Sequence, residues 1–430
     1  MAIAWVGVEL LCAAAFFAVR DGGFSHAALA AIRAERMADL QEGQIARPGL
    51  EVIHPYLGYV YDPAGNSGEM TAHHGGVPIS EFGFLDHASP LRAKADDEVV
   101  VGLFGGSFAF FFSVHGLEAM LDGLRAVPRF RGKEISVVRV ALGGYKQPQQ
   151  LLALSYLLAL GARFDAVINL DGFNEVALPA AENLPTGVFP FFPRNWSARV
   201  ASAPGLDEQA AMLRIADLRR KRLEWSTSFE ASLFRMSVAA NLYWWLRDAR
   251  FADLMTLAQI ELAHRKSRVE RFEASGPPRV YTGDDALYAD LAAVWFNSSL
   301  EMHRLCAAYG IRYWHFLQPN QYVEASKPMG KAERAVAFQA PQFYRNQVEA
   351  GYPVLRRRGA DLAAAGVAFH DLTGVYRTHT EPLYIDSCCH VNERGYEIIG
   401  AEMARWIRAE APAPDHGTRG PAVTPQQPAP

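Results

Sequence analysis

The sequence has few cysteines, and their spacing is typical neither of a disulfide framework nor of a zinc site. The chain of 430 residues contains four, namely Cys12, Cys306, Cys388 and Cys389. Adjacent cysteines rarely pair with each other, and no CxxC spacing occurs. The cysteines therefore do not indicate a redox compartment, and we interpret Cys388 and Cys389 as packing residues.

An excess of charge of one sign is also missing. The formal net charge is −4 and the pI is about 6.4. The chain thus lacks the basic footprint of a nucleic-acid-binding protein, and it is not acidic enough to be typical of a disordered one. Half of its residues are hydrophobic, which is enough for a large core. Composition predicts a globular protein that does not bind nucleic acid and leaves the oligomeric state open.

A membrane-length apolar run is found only at the N-terminus. Residues 2–19 are apolar except for Glu9, and this length is at the short end of a membrane span. A single-pass anchor, a secretory signal and a buried helix of a soluble protein all remain open, although a signal normally has a basic n-region. Arg20, Arg33 and Arg36 follow the segment and no basic residue precedes it, which by itself favours a cytoplasmic location for the rest of the chain.

Five short apolar runs predict the strands of a parallel sheet. The first three, Val99–Phe104, Ile135–Leu142 and Ala166–Leu170, each lead into a glycine-containing turn and then into a helical pattern. Continuous apolar strands are typical of parallel sheets that are buried on both faces. Ile311–Leu317 and Val367–Leu372 are the fourth and fifth predicted strands. This alternation of strands and helices predicts an α/β fold.

The remaining segments suggest how the chain is divided. A single helix is predicted over Ala109–Arg125 and a last helix over Glu393–Arg408. Helical patterns within residues 180–285 predict an insertion into the core. These helices either cap the functional site or only pack against the sheet, and both interpretations remain open. The predicted segments are an anchor or signal-like segment (1–20), a stalk helix with lead-in loops (21–95), the first half of the core (96–179), a helical insertion (180–285), the second half of the core (286–410) and a disordered Pro-rich tail (411–430).

Residues suited to acyl transfer follow the first three predicted strands. Ligands bind at the carboxyl ends of such strands. Ser107 follows two glycines and begins a predicted helix, whose N-terminal N–H groups favour negative charge. A ligand can approach the backbone closely at Gly143 and Gly144, which have no side chain and either of which can be the donor, and Asn174 adds a side-chain N–H. We predict that Ser107, Gly144 and Asn174 donate hydrogen bonds to a tetrahedral oxyanion.

Among 13 histidines, His390 has the most suitable neighbours for a general base. It lies just before the last predicted helix, and Asp386, four residues earlier, can turn back to accept its Nδ1 proton. Glu381 is a more distant alternative acid. Because a serine hydroxyl is inert without a base, we predict Ser107 as the nucleophile, His390 as its base and Asp386 as the acid that orients the ring.

These motifs, in this order, resemble those of the SGNH (GDSL-like) hydrolase family. The four blocks are GGSFA at 105–109, ALGGYKQPQQL at 141–151, DGFNE at 171–175 and DSCCHVNERGYEIIG at 386–400. The segments HPYLGYVYDP at 54–63 and EFGF at 81–84 also resemble the lead-in of bacterial members.

The resemblance implies a three-layer α/β/α sandwich with a parallel flavodoxin-like sheet. It also implies a Ser-His-Asp triad that hydrolyses ester-linked acyl groups on lipids or carbohydrates, and no metal or organic cofactor. The chain departs from the family pattern at Gly106 and at Glu175, where the family has Asp, and in the four-residue spacing from Asp386 to His390.

We therefore expect a serine esterase, anchored to a membrane by its N-terminal helix and located outside the cytoplasm. Its expected substrate is an ester such as an O-acetylated carbohydrate. Two alternatives remain open. One is an O-acyltransferase that uses the same triad, and the other is a non-catalytic glycan-binding or assembly protein.

Overall fold

The structure is a computed structural model of the chain. It divides into two compact units, a helical unit (Met1–Leu50 with Ser197–Ser275) and an α/β unit (Glu51–Trp196 with Gly276–Pro430). The predicted Pro-rich tail, 411–430, lies outside the described residues. The described residues are 2–19, 23–42, 51–65, 76–86, 89–200, 206–266 and 272–410.

The described residues form seven strands and fourteen α-helices. The strands are β1 (Glu51–His54), β2 (Gly58–Tyr61), β3 (Glu98–Gly105), β4 (Glu134–Ala141), β5 (Ala166–Asp171), β6 (Arg312–Leu317) and β7 (Ala368–Asp371). The helices are α1 (Ala2–Val19), α2 (His26–Glu42), α3 (Ser107–His115), α4 (Leu117–Arg125), α5 (Gln149–Ala159), α6 (Phe173–Leu178), α7 (Trp196–Val200), α8 (Leu206–Ala231), α9 (Val238–Lys266), α10 (Phe272–Ser275), α11 (Asp284–Ala308), α12 (Lys331–Ala337), α13 (Arg345–Ala364) and α14 (Glu393–Ala409).

A five-stranded parallel sheet forms the core of the α/β unit. Its strand order is β4-β3-β5-β6-β7, the order found in flavodoxin-like sheets. Every residue of β3 and β5 is buried, as expected from their apolar sequences. Helix α14 packs on α3 and α4, whereas α11 packs on α5, α6 and α13, which is consistent with helices on both faces of the sheet. The predicted α/β fold with a parallel sheet is confirmed.

Two predictions about local structure are wrong. The single helix predicted over 109–125 is two helices, α3 and α4, separated by Gly116. A Cβ at Gly116 would lie 2.3 Å from the Tyr396 carbonyl oxygen of α14, so the close approach of that helix requires glycine there. The lead-in segment, predicted as loops, contains the antiparallel pair β1 and β2.

The sequence pattern also predicts no helix between the fourth and fifth strands of the parallel sheet, where α12 and α13 lie. Pro353 stands inside α13. Because proline normally ends a helix in the preceding turn, it obscures the helical pattern of this segment.

The helical unit brings together the N-terminal helices and the inserted ones. Helix α1 packs on α9 and helix α2 on α8. A small core is formed by Phe16, Leu29, Phe229 and Trp244. Glu9, the one charged residue of the apolar N-terminal run, accepts a hydrogen bond of 2.6 Å from the Ser237 hydroxyl just before α9.

A buried arginine also joins the two parts of the helical unit. Arg33 of α2 donates hydrogen bonds to Glu230 (2.7 Å) and Asn241 (2.8 Å) of the inserted segment. Residues assigned by sequence to an anchor, a stalk and an insertion therefore lie in one unit. Across the part of the chain that the structure describes, we find no helix with both the length and the apolarity that a membrane crossing needs. The anchor stays a prediction.

Candidate active site

Ser107 is the first residue of α3 and follows β3 through two glycines that the surrounding structure requires. A Cβ at Gly105 would lie 2.3 Å from the Leu170 carbonyl oxygen of β5. A Cβ at Gly106 would lie 2.2 Å from the side-chain nitrogen of Asn174. The Asp that the family pattern has at position 106 would collide with Asn174, and this chain has glycine there.

The structure brings the three predicted catalytic residues together. His390 Nε2 lies 2.9 Å from Ser107 Oγ, and His390 Nδ1 lies 2.5 Å from Asp386 Oδ2. These distances allow the serine hydroxyl to donate to the ring and the ring to donate to the carboxylate. All three residues are half-buried, so the row adjoins solvent. Glu381, the alternative acid, instead pairs with His379 at 2.9 Å.

The four-residue spacing from Asp386 to His390 is accommodated by a turn closed on the aspartate itself. Asp386 Oδ1 accepts hydrogen bonds from the N–H groups of Cys388 (2.9 Å), Cys389 (3.0 Å) and His390 (3.1 Å). Burial acts to raise the pKa of Asp386, but its hydrogen bond to His390, the charge of that ring and these N–H groups outweigh burial, and the pKa is lowered. The carboxylate is thus held in its ionised form beside the ring.

Three side chains that follow β6 hold the outer side of this turn. Asn320 donates to the carbonyl of Cys388 (3.1 Å), Gln321 to that of Asp386 (3.1 Å), and the Tyr322 hydroxyl to that of Ser387 (2.7 Å). The sequence motifs predict no role for Gln321 or Tyr322. Their position at the carboxyl end of a predicted parallel strand was the available signal.

The predicted oxyanion donors lie on segments next to the N-terminus of α3. The Asn174 amide donates one hydrogen bond of 2.7 Å to the Tyr145 carbonyl. Since an amide nitrogen carries two hydrogens, a second donor remains. Gly144 has a φ of +83° in a β-turn closed by Tyr145 N–H and Leu142 O at 3.1 Å. Neither Ser107 N–H nor Gly144 N–H has a hydrogen-bond partner among the described residues.

The lead-in hairpin supports the glycine turn. Tyr59 of β2 is fully buried, and its hydroxyl donates to the Gly143 carbonyl at 2.7 Å. The Tyr145 hydroxyl in turn donates to the Tyr59 carbonyl at 2.6 Å. This reciprocal pair fixes the turn that contains Gly144.

Glu175 connects the two segments that carry Gly144 and Asn174. Its carboxyl group accepts hydrogen bonds from Gly172 N–H (2.7 Å), Gln147 N–H (3.1 Å) and the Gln150 side chain (3.2 Å). Burial and the charge of Asp171 raise the pKa of Glu175 to about 8. The sequence analysis noted Glu175 only as a variant residue. A glutamate three positions after a helix-capping residue is a known capping signal.

Lys146 is a second buried ionisable group at this glycine turn. It is 1% exposed, and burial lowers its pKa to about 7, although the charges of Glu175 and Glu182 oppose that shift. Its ammonium group donates to the Phe192 carbonyl. Two buried groups, one with a raised pKa and one with a lowered pKa, therefore lie next to the turn that contains Gly144.

A second Ser-His-Asp row lies inside the fold. His315 Nε2 is 2.8 Å from Asp171 Oδ1, and His315 Nδ1 is 2.7 Å from Ser299 Oγ. Asp171 also accepts hydrogen bonds from the Trp295 indole and the Asn169 amide, each at 2.7 Å. None of the three row residues is more than 2% exposed. This row crosslinks β5, β6 and α11.

The candidate base His390 has an aromatic ring in contact with it and two cysteines directly before it in the chain. The ring of Phe111 packs edge-on against the His390 ring at 5.3 Å between centroids. In the described part of the chain, the donor atoms of Cys388, Cys389 and His390 form one cluster close enough to hold a metal ion. Sequence analysis assigned these cysteines to packing.

No family model matches this chain, and no curated protein matches it. The resemblance to SGNH hydrolases therefore depends on the four motifs, their order, and the convergence of Ser107, His390, Asp386, Gly144 and Asn174.

Proposed function

We propose that the chain is a serine esterase of the SGNH (GDSL-like) type. One observation carries the proposal: Ser107 Oγ is 2.9 Å from an imidazole whose other nitrogen is held by a carboxylate. Two of the predicted oxyanion donors, Ser107 N–H and Gly144 N–H, have no hydrogen-bond partner among the described residues. Nucleophile, base, orienting acid and oxyanion donors are the parts that acyl transfer through serine requires.

The reaction follows from this arrangement. Ser107 Oγ attacks the ester carbonyl carbon while His390 Nε2 takes the hydroxyl proton. The new oxyanion accepts hydrogen bonds from Ser107 N–H, Gly144 N–H and the second hydrogen of the Asn174 amide. The Asp386 carboxylate stabilises the imidazolium. His390 then protonates the leaving alcohol, and water, activated by the same ring, releases the acyl group from Ser107.

An acylated carbohydrate or lipid is the proposed substrate, and a membrane-anchored, extracytoplasmic site is the proposed location. Both follow from the resemblance to bacterial SGNH hydrolases and, for the location, from the apolar run at residues 2–19.

Covalent labelling tests the proposal most directly. We expect a fluorophosphonate probe to modify the full chain, and peptide mapping to place the label on Ser107. We also expect hydrolysis of p-nitrophenyl acetate that Ser107→Ala abolishes. Folded protein that is inert to both reagents would contradict the proposal and favour the glycan-binding or assembly alternative. Labelling at another serine would contradict the assignment of the nucleophile.

One observation favours O-acyl transfer as a second candidate. A cavity of about 630 Å³ is lined by residues that include Gln321, Tyr322, Phe338, Arg334 and Arg345. Gln321 and Tyr322 also hold the turn from Asp386 to His390. An acceptor alcohol in this cavity would lie beside the triad loop. Acetylated sugar, formed from p-nitrophenyl acetate and a sugar and lost in Ser107→Ala, would favour the transferase, whereas acetate as the sole product would favour the esterase.

A further inference from the structure

Two thiols and the imidazole of the triad loop form a compact set of metal donors. Cys388 Sγ and Cys389 Sγ are 3.4 Å apart. Together with a ring nitrogen of His390, their donor atoms all lie within 4.8 Å of one another. Cys389 is 2% exposed, whereas Cys388 and His390 are half-buried. An ion from solvent would therefore reach the cluster along the side chains of Cys388 and His390.

The spacing of the two sulfurs is near that of a tetrahedral site, and the ring nitrogen lies within 4.8 Å of both. Zinc–sulfur bonds of about 2.3 Å place two sulfurs about 3.8 Å apart, and zinc–nitrogen bonds of about 2.0 Å place sulfur and nitrogen about 3.5 Å apart. The thiols already meet the first requirement to within a few tenths of an ångström. Thiolate and imidazole donors select zinc and similar soft ions over Mg²⁺ and Ca²⁺.

Metal binding and catalysis compete for the same ring. His390 Nε2 faces Ser107, and Nδ1 faces Asp386. Whichever nitrogen binds the ion, one of the two triad hydrogen bonds is lost. If Nε2 is used, Ser107 loses its base, and if Nδ1 is used, the ring loses its orienting acid.

We propose that Cys388, Cys389 and His390 bind a thiophilic divalent ion, Zn²⁺, and that the bound ion inhibits the triad. The two thiols each lose a proton to solvent as the sulfur–metal bonds form, so no oxidant or reductant is needed. Water or a carboxylate oxygen completes the tetrahedron. The inhibition rests on the proposed esterase function, whereas the metal site itself does not.

Direct binding of Zn²⁺ to the full chain tests the site without any assay of activity. We expect one equivalent to be taken from a chromophoric chelator by the wild type and by Ser107→Ala, with no competition from Mg²⁺. Cys388→Ser and Cys389→Ser should each weaken binding by at least roughly tenfold, since even partners outside the ligand set cost 10- to 100-fold. Cys12→Ser, in the helical unit, is the matched control and should bind as the wild type does.

A reagent for adjacent thiols gives a test that needs no variant. Phenylarsine oxide bridges two neighbouring thiols, and we expect prior treatment of the wild type to block Zn²⁺ uptake. Co²⁺ in place of Zn²⁺ should give a near-ultraviolet thiolate charge-transfer band. Unchanged Zn²⁺ affinity in the double serine variant, or after phenylarsine oxide, would overturn the site.

Inhibition is measured separately, relative to the metal-free rate of each variant. We expect Zn²⁺ to abolish p-nitrophenyl acetate hydrolysis by the wild type and EDTA to restore it. Tight thiol-dependent binding without inhibition would overturn the inhibitory half alone. Thiol-dependent binding by a protein that neither hydrolyses esters nor reacts with a fluorophosphonate would overturn the proposed function and the inhibition, and would support the metal site.

Discussion

The α/β unit contains two Ser-His-Asp rows with similar distances and different surroundings. In the outer row, His390 lies 2.9 Å from Ser107 and 2.5 Å from Asp386. In the inner row, His315 lies 2.7 Å from Ser299 and 2.8 Å from Asp171. Residue type and distance alone therefore do not distinguish a candidate catalytic row from a structural one.

The two rows differ in solvent exposure, in the ring nitrogen that faces the serine, and in whether N–H groups without partners accompany them. The outer row is half-buried, and the predicted oxyanion donors Ser107 N–H and Gly144 N–H have no partners among the described residues. In the inner row the serine faces Nδ1 rather than Nε2, and none of the three residues is more than 2% exposed. A sealed, fully bonded row stabilises the fold, whereas an open row beside free donors is suited to bind a reacting carbonyl.

The two rows should differ most clearly in their response to removal of the serine hydroxyl. We expect Ser107→Ala to lower kcat for p-nitrophenyl acetate by about 10⁶-fold, to the limit of the assay. Ser299→Ala should leave kcat within about twofold and lower the free energy of unfolding by about 1–3 kcal/mol, because His315 Nδ1 loses its partner in the core. Equal loss of activity in both variants would show that the inner row takes part in catalysis.

The two aspartates provide the next contrast, beginning with the outer one. We expect Asp386→Asn to lower kcat by about 10⁴-fold, because an amide cannot hold the ring in the tautomer that accepts the serine proton. Fluorophosphonate labelling should slow by a similar factor. A loss below tenfold would mean that another group orients His390.

For the inner aspartate the expected effect is on stability. We expect Asp171→Leu to lower the free energy of unfolding by roughly 3–5 kcal/mol, since the buried donors of His315, Trp295 and Asn169 lose their acceptor. Urea unfolding of the variant and the wild type measures the difference. A change below 1 kcal/mol would show that the inner row is not a stabilising crosslink.

The smallest expected effect concerns Glu175, which connects the segments that carry Gly144 and Asn174. Its pKa is raised from 4.5 to about 8 by burial, so the folded state binds its proton more tightly than the unfolded state does. That stability is fully present below about pH 4.5 and is lost as the pH rises towards 8. Glu175→Gln should therefore lose less stability than the wild type between about pH 5 and 7, as judged by urea midpoints. Parallel pH profiles would contradict the raised pKa.

The five strands of the parallel sheet can be predicted from the sequence, and the site motifs can be recognised in it, because both are local signals. An apolar run that ends in glycine needs no knowledge of distant residues, and neither does an aspartate placed four residues before a histidine. The break at Gly116 was missed because it depends on the passage of α14 close to the chain. The inner row also could not be predicted from local signals, since Asp171 and His315 are 144 residues apart.

The pairing of the N-terminal helices with the inserted ones likewise could not be predicted. It depends on contacts such as that of Arg33 with Glu230, whose positions differ by 197. Nothing in the composition of either segment specifies its partner. Sequence reasoning therefore treated each segment separately.

Within the turn from Asp386 to His390, the carboxylate oxygen that faces the backbone, Oδ1, accepts hydrogen bonds from main-chain N–H groups. Every residue type except proline supplies such a group. Substitution within this turn should therefore be tolerated much better than insertion or deletion, because a change of length would move the imidazole away from the hydroxyl it serves. This freedom of side-chain identity is what permits two thiols to stand next to the base.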